Sequence, residues 1–256
     1  MMILIIDIGN TNVKAAVFEK DTILDVVVFE KGKILSEIKK ILKKHPISKA
    51  VMSNVASISD LKLKKLQAFV EIIFISSSTR VPFINLYKTP KTLGVDRIAL
   101  AAAAVSQFPH KNVLVVDAGS CITFDFVTAK KEYLGGAISP GIQMRFHSLN
   151  HFTANLPLLV KEEAPSFIGF STKESINSGV VNGVLQEIEG VISQYKNKYL
   201  DLTVVLTGGD TNFLSKQLKS SIFANQNFLL QGLNEILKFN QGRFLVLVPF
   251  SNRVSR

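Results

Sequence analysis

Asp7-Ile8-Gly9-Asn10-Thr11-Asn12-Val13-Lys14 is the stretch on which the fold turns. It closes a β-branched run, Ile3 to Ile8, and leads into strand-like runs at Val13–Phe18 and Ile23–Phe29. The Gly, Asn and Thr between the first two predict a tight hairpin, and the three runs together an antiparallel meander. The same plan returns further along the chain. Val113–Val116 ends in Asp117-Ala118-Gly119-Ser120, and strand-like segments follow at Ile122–Val127 and Glu132–Ile138. Strand, acidic-Gly turn, strand, turn, strand therefore occurs twice, which predicts two duplicated α/β domains. No low-complexity linker separates them, and the boundary is placed between residues 111 and 112, giving domains 1–111 and 112–256.

The segments around the repeats alternate in the same way. Ile34, Leu35, Ile38, Ile41 and Leu42 recur with helical period before His45-Pro46. Ala50–Val55 reads as a buried strand, Ser59–Phe69 as a helix and Ile72–Ile75 as a strand. From Ser76 to Val95 the chain carries Pro82, Pro90 and Gly94 and reads as a long surface loop, of the kind that is usually functional or disordered. Arg97–Phe108 is an alanine-rich helix. In the second half, Ile176, Val180, Val181, Val184, Ile188, Val191, Ile192 and Tyr195 trace one apolar stripe, a core or subunit-interface helix. Leu202–Leu206 is a strand that runs into Thr207-Gly208-Gly209-Asp210, with helices expected after Asp210 and near Leu230–Phe239, and a terminal strand at Phe244–Phe250.

Composition narrows the function classes. The chain has 256 residues, 47% hydrophobic and 20% charged, enough apolar mass for two cores and too little charge for disorder. Its single cysteine, Cys121, excludes an intramolecular disulfide and a cysteine-rich zinc module, and reads as a packed side chain. No apolar run reaches the roughly 18–20 residues of a membrane span, and the start lacks the basic segment of a signal peptide. A soluble cytoplasmic protein is expected. The net charge is +10, but much of the excess is lysine on surface faces (Lys39, Lys40, Lys43, Lys44, Lys62, Lys64, Lys65), with no Trp and four Tyr. That pattern reads as a solvated basic surface suited to small anionic substrates rather than a base-stacking groove. His147 and His151 stand four residues apart but lack a nearby Cys, Asp or Glu, so no metal site is read there.

The two acidic-Gly turns are where chemistry is expected. Gly9 lets the backbone approach an anion closely, N–H groups of the turn can face a phosphate, and Lys14 adds a point charge. Asp7 can hold Mg²⁺ through water, because Mg²⁺ takes oxygen ligands and keeps several waters. A plain β-turn would use the same residue types. Neither G-x-x-x-x-G-K-[ST] nor G-x-G-x-x-G is present, so the two standard Gly-rich phosphate loops are excluded.

Two acidic-Gly hairpins and a third Gly-rich turn from duplicated halves resemble the acetate and sugar kinase/Hsp70/actin superfamily. The resemblance implies two ribonuclease H-like domains with a cleft between them, the hairpins on the phosphates of ATP and the third turn by the adenosine. Three further stretches narrow it: Tyr87 with Gly94-Val95-Asp96-Arg97, Gly135-Gly136-Ala137-Ile138-Ser139-Pro140-Gly141, and Ser171-Thr172-Lys173-Glu174-Ser175-Ile176-Asn177-Ser178-Gly179. In this order they resemble the type III pantothenate kinases, with Ser120 and Ser171 standing where that family usually has Thr and Asn.

That resemblance implies transfer of the γ-phosphate of ATP to pantothenate, giving 4′-phosphopantothenate on the route to coenzyme A. Asp7, Ile8, Gly9, Asn10, Thr11, Asn12, Val13, Lys14 and Ser120 would bind ATP, with Asp7 near Mg²⁺. Asp96 would be the general base. Tyr87, Gly94, Val95, Asp96, Arg97 and Thr172 would bind substrate, Arg97 by pairing with its carboxylate or by backing the transferred phosphate. Asp117 would hold a monovalent cation, K⁺ or NH₄⁺, and the active unit would be a homodimer. The rivals are another sugar or acid kinase of the superfamily, a non-catalytic ATP-binding regulator, and a nucleic-acid binder resting on net charge alone.

Overall fold

The computed structural model describes residues 2–9, 12–53, 58–163 and 166–241. The expected terminal strand at Phe244–Phe250, and the end of the expected strand at Val55, lie outside them. The described chain forms two compact units, residues 2–81 with 233–241, and residues 82–232.

The first unit is built on a five-stranded sheet: β1 (Met2–Ile8), β2 (Asn12–Glu19), β3 (Thr22–Glu30), β4 (Ile47–Met52) and β5 (Glu71–Phe74), in the order β3-β2-β1-β4-β5. β1 pairs antiparallel with β2 and parallel with β4, and β4 runs parallel to β5. As the central strand it is covered on both faces, which is why Ile3 to Ile6 is an unbroken apolar run rather than an alternating one. Helix α1 (Ile34–Lys44) turns Ile34, Ile38 and Ile41 onto the core, and α2 (Asp60–Gln67) adds Leu63 and Leu66. Lys39, Lys40, Lys43, Lys44, Lys64 and Lys65 stand exposed on these two helices.

The second unit repeats the plan. β7 (Asn112–Ala118), β8 (Cys121–Val127) and β9 (Glu132–Pro140) form the meander, and β10 (Leu202–Thr207) and β11 (Phe223–Ala224) add parallel strands on the other side of β7. The order β9-β8-β7-β10-β11 matches β3-β2-β1-β4-β5 strand for strand. One strand is extra. The segment expected as a bare loop supplies β6 (Ile84–Asn85), which pairs in parallel with the edge of β9, Ile84 N–H donating to Lys131 O and Leu86 N–H to Tyr133 O. This edge pairing is one reason residues 82–111 pack with the second unit.

Helix α3 (Val95–Gln107) is buried along its length from Arg97 to Val105 and packs on β7 and β8. Its alanines permit backbone-close contact: a Cβ on Gly232 would lie 1.8 Å from the Ala99 carbonyl oxygen. Gly232 belongs to α8 (Phe228–Phe239), within which the chain passes from the second unit to the first. On the sheet's other face, α4 (Ile142–His151), α5 (Thr172–Asn177), a π-helical turn at Ser178–Asn182 and α6 (Gly183–Lys198) bury the apolar stripe against Leu114, Val116, Phe124 and Phe126. The stripe is therefore core. A short helix, α7 (Thr211–Ser215), follows β10.

Candidate active site

The first hairpin is a strand-register device. Asp7 pairs with Lys14 and Ile8 with Val13 across β1 and β2, and Gly9 N–H closes the turn onto the Asn12 carbonyl at 3.0 Å. Ile8 and Val13 turn their side chains into the core, leaving only their backbone for a ligand. Asn10 and Thr11 lie outside the described residues. Ile6 pairs with Met52, which sets Ser53 beside Asp7, and the buried Ser53 hydroxyl donates to Asp7 Oδ1 at 2.6 Å. Sequence reasoning missed Ser53, because nothing local links it to a residue 46 positions away.

The second hairpin is one residue tighter. Two residues, Gly119 and Ser120, separate its strands where three separate β1 from β2. Gly119 N–H donates to the Cys121 carbonyl at 2.9 Å, and Asp117 pairs across the strands with Thr123. Asp117 also pairs with Thr207 of β10, as Asp7 sits by Ser53. The third turn then folds over Asp117. Gly208 takes φ +95°, and a Cβ there would lie 2.4 Å from Asp117 Oδ1 and 2.3 Å from the Ala118 carbonyl oxygen. Only glycine meets both demands. Asp117 is half-buried, and the neighbouring Ala118 carbonyl accepts the Asp210 N–H at 2.9 Å. Among the described residues no cluster of three or more His, Cys, Asp or Glu exists.

The Gly94–Arg97 stretch starts α3. Gly94 is the N-cap and offers no side chain; Asp96, in the first turn, accepts the Arg97 N–H on Oδ1 at 2.8 Å. A Cβ on Gly94 would meet that same oxygen at 2.3 Å, so glycine makes room for the carboxylate. Asp96 is half-buried. Arg97 is 6% exposed and does not pair with Asp96: its Nε donates to Asp125 Oδ1 at 2.8 Å. Asp125 has no exposed surface and also accepts from Tyr133 Oη at 2.6 Å and Thr123 Oγ1 at 2.8 Å. Burial works against the Arg97 charge, but Asp125, Tyr133 and Tyr87 together outweigh it and hold the guanidinium above its ordinary pKa. Burial, reinforced by the Asp125 charge, pushes the Tyr133 phenol upward, so it stays a proton donor.

Tyr87 completes this cluster. Its half-buried ring lies 5.5 Å from the Arg97 guanidinium carbon and 6.1 Å from the Tyr133 ring. Gly135, at φ +101°, lets it lie flat on β9, since a Cβ would stand 2.9 Å from Tyr87 Cδ2. Tyr87, Gly94, Val95, Asp96 and Arg97 are thus brought together. Arg97 Nη2 is buried with no hydrogen-bond partner among the described residues.

Thr172 sits elsewhere in the unit. It opens α5 behind Ser171, whose hydroxyl accepts the Glu174 N–H at 3.2 Å while Glu174 Oε2 accepts the Phe170 N–H at 2.7 Å. Serine at 171 therefore still caps the helix. Thr172 lines an open cavity of about 750 Å³ with Leu149, Leu156, Phe170, Ser175 and Ile176. None of Tyr87, Gly94, Val95, Asp96 or Arg97 belongs to its wall.

Two sheets of identical strand order, each with an acidic-Gly turn between its first two strands, make two ribonuclease H-like domains, the architecture expected of the acetate and sugar kinase/Hsp70/actin superfamily. A solved structure of a candidate Baf family transcriptional activator from Campylobacter jejuni superposes with a TM-score of 0.63 at 23% identity, covering 93% of this chain and 98% of that one. The Clostridium difficile activator of 2-hydroxyisocaproyl-CoA dehydratase, solved with ADPNP, does so at 0.51 and 12% identity, covering 93% and 94%. The type III pantothenate kinase family model matches residues 3–194, and the type III pantothenate kinase of Christiangramia forsetii is 51% identical over 244 residues, 94% of this chain and 99% of that protein. The chain belongs to the type III pantothenate kinase family.

Proposed function

We propose that this kinase transfers the γ-phosphoryl group of ATP to the primary hydroxyl of pantothenate with Asp96 as general base. The observation that carries the reading is the first turn of α3, where a half-buried carboxylate is held by one backbone N–H and its neighbour Arg97 is tied down to Asp125. The hydroxyl oxygen attacks the γ-phosphorus, its proton passes to Asp96, and the bond to the bridging oxygen breaks to release ADP. Such transfer needs positioning and charge neutralisation more than covalent chemistry.

Asp7 to Lys14 and Ser120 hold the ATP phosphates in this reading, Ile8 and Val13 through their backbone. A Mg²⁺ ion bound with ATP neutralises phosphate charge, with Asp7 its protein ligand directly or through water. Asp117 takes K⁺ or NH₄⁺. Tyr87, Gly94, Val95, Arg97 and Thr172 contact pantothenate, Arg97 at the carboxylate or behind the phosphoryl group. The duplicated sequence halves run 1–111 and 112–256, although residues 82–111 pack with the second unit and 233–241 with the first, and the enzyme works in the cytoplasm as a homodimer. Among the described residues no helix is long and apolar enough to cross a membrane. Exposed Phe152, Phe167 and Phe170 of the second unit support a subunit contact near Thr172.

A coupled assay of ATP consumption, run with and without pantothenate in potassium and in sodium buffers, tests the reading. Pantothenate-dependent turnover that is faster in potassium is expected. Equal rates in both salts would remove the role of Asp117, and no pantothenate dependence would overturn the whole assignment.

A further inference from the structure

We propose that Arg145, clasped to Glu187, is a positioning residue for the nucleotide: it braces the corner on which the Gly119-Ser120 turn rests. The proposal rests on the reading of that turn as a phosphate site. Arg145 lies in α4, one helical turn beyond Gly141, and accounts for both sides of the corner. Its Nε donates to the Pro140 carbonyl at 2.9 Å, its Nη2 donates to Ser139 Oγ at 2.9 Å, and the same Nη2 pairs with Glu187 of α6. The guanidinium fork thereby joins the end of β9 to α6, a planar geometry that lysine cannot reproduce.

The corner touches the turn directly. Gly141 N–H donates to the Ser120 carbonyl at 3.1 Å, and a Cβ on Gly141 would lie 2.1 Å from the Gly119 carbonyl oxygen and 2.7 Å from that of Ser120. Cys121 pairs across the strands with Pro140, so the corner and the turn share one register. A shift of the corner is therefore transmitted to Gly119 and Ser120 through backbone atoms, with no flexible side chain to absorb it. A phosphate site at a tight turn depends on the orientation of its remaining backbone and hydroxyl donors to within fractions of an ångström. Arg145 and Glu187 are both partly buried, so solvent does not fully screen their attraction.

The test uses the full chain with Arg145→Met, Arg145→Lys and Glu187→Gln. For each, kcat, the KM for ATP, the KM for pantothenate, the melting temperature and the Kd for ADP with Mg²⁺ by calorimetry are measured. Arg145→Met is expected to raise the ATP KM and the ADP Kd by about tenfold, the loss typical of a charged hydrogen bond. The pantothenate KM should stay within about twofold, and Glu187→Gln, which keeps an acceptor, should give a smaller shift in the same direction. Arg145→Lys should not restore nucleotide binding. Unchanged nucleotide constants, or equal changes in both substrates' constants with a lowered melting temperature, would overturn the proposal. Should Arg145→Met fail to fold, the milder Glu187→Gln decides on the same criteria. Ser120→Ala and Asp117→Asn separate the two levels: if neither alters nucleotide binding, the phosphate reading of the turn fails and takes this proposal with it. If they do and the Arg145 and Glu187 variants do not, only the clasp is wrong.

Discussion

Asp96 and Asp125 are separated by one side chain, Arg97, yet do opposite work. Asp125 is sealed inside the second unit and committed to three donors, Arg97, Tyr133 and Thr123. Removing one member of such a buried pair strands the other charge, a loss of about 3–5 kcal/mol, so its role is to hold Arg97 in place. Asp96 is half-buried and accepts the adjacent Arg97 N–H. Asp96→Asn retains an oxygen for that N–H, so the melting temperature should hold while kcat falls by about 10²–10⁴, with little change in ATP affinity. A stable variant with an unchanged rate would leave Asp96 a structural residue. Asp96 and Arg97 stand out in the sequence as a motif, whereas Asp125 carries one signal: a lone carboxylate inside the apolar run Ile122–Val127 must find a partner. Which partner is not a local question, because Arg97 lies 28 residues upstream.

Between elements, carboxylates also act as clasps, and Glu189 of α6 shows the pH consequence. It accepts the Lys219 N–H at 2.6 Å, the Ser220 N–H at 3.0 Å and the Ser220 hydroxyl at 2.6 Å, fastening the chain after α7 to the helix. Burial works to raise its pKa, but these hydrogen bonds outweigh it and hold the carboxyl below its ordinary value of 4.5. A depressed native pKa contributes stability that is present above 4.5 and lost as the pH falls through the native value. Wild type should therefore melt higher than Glu189→Gln at neutral pH, and the difference should close on acidification. A difference that widens as the pH falls would show that the clasp acts some other way. The sequence reading missed two short elements for a related reason. β6 and β11 span two residues each, too few to show a period, and exist because neighbouring edges supply their hydrogen bonds.

At the level of the whole molecule the duplication is topological: five strands in one order, twice, with an acidic-Gly turn at the same place. The repeats have diverged at the turns themselves. The first turn is a residue longer and carries Lys14 where the second carries Thr123, each paired with its aspartate. The second unit also exposes large apolar side chains, Phe167 and Phe170 at 87% and Phe152 at 81%. Large exposed apolar side chains are candidates for a subunit contact. Sedimentation at micromolar concentration should show a dimer, and Phe167→Ser with Phe170→Ser should shift it towards monomer with loss of activity. A fully active monomer would sink the shared-site reading of Thr172.

The amino-acid sequence by itself determined the strands of both meanders, the turns between them and the order of the motifs, because these depend on neighbours. A β-branched run, a glycine that must turn and a stripe at helical period are each satisfied within a few residues. The tertiary structure alone decided what each motif touches. It set Ser53 on Asp7, Gly208 over Asp117, Gly141 against Ser120 and Asp125 under Arg97. It also showed the Ile176–Tyr195 stripe to be core, leaving exposed phenylalanines as the candidate contact surface. Each of these is fixed by strand register and helix packing between residues far apart in the chain, where a shift of one position would send a side chain to the opposite face.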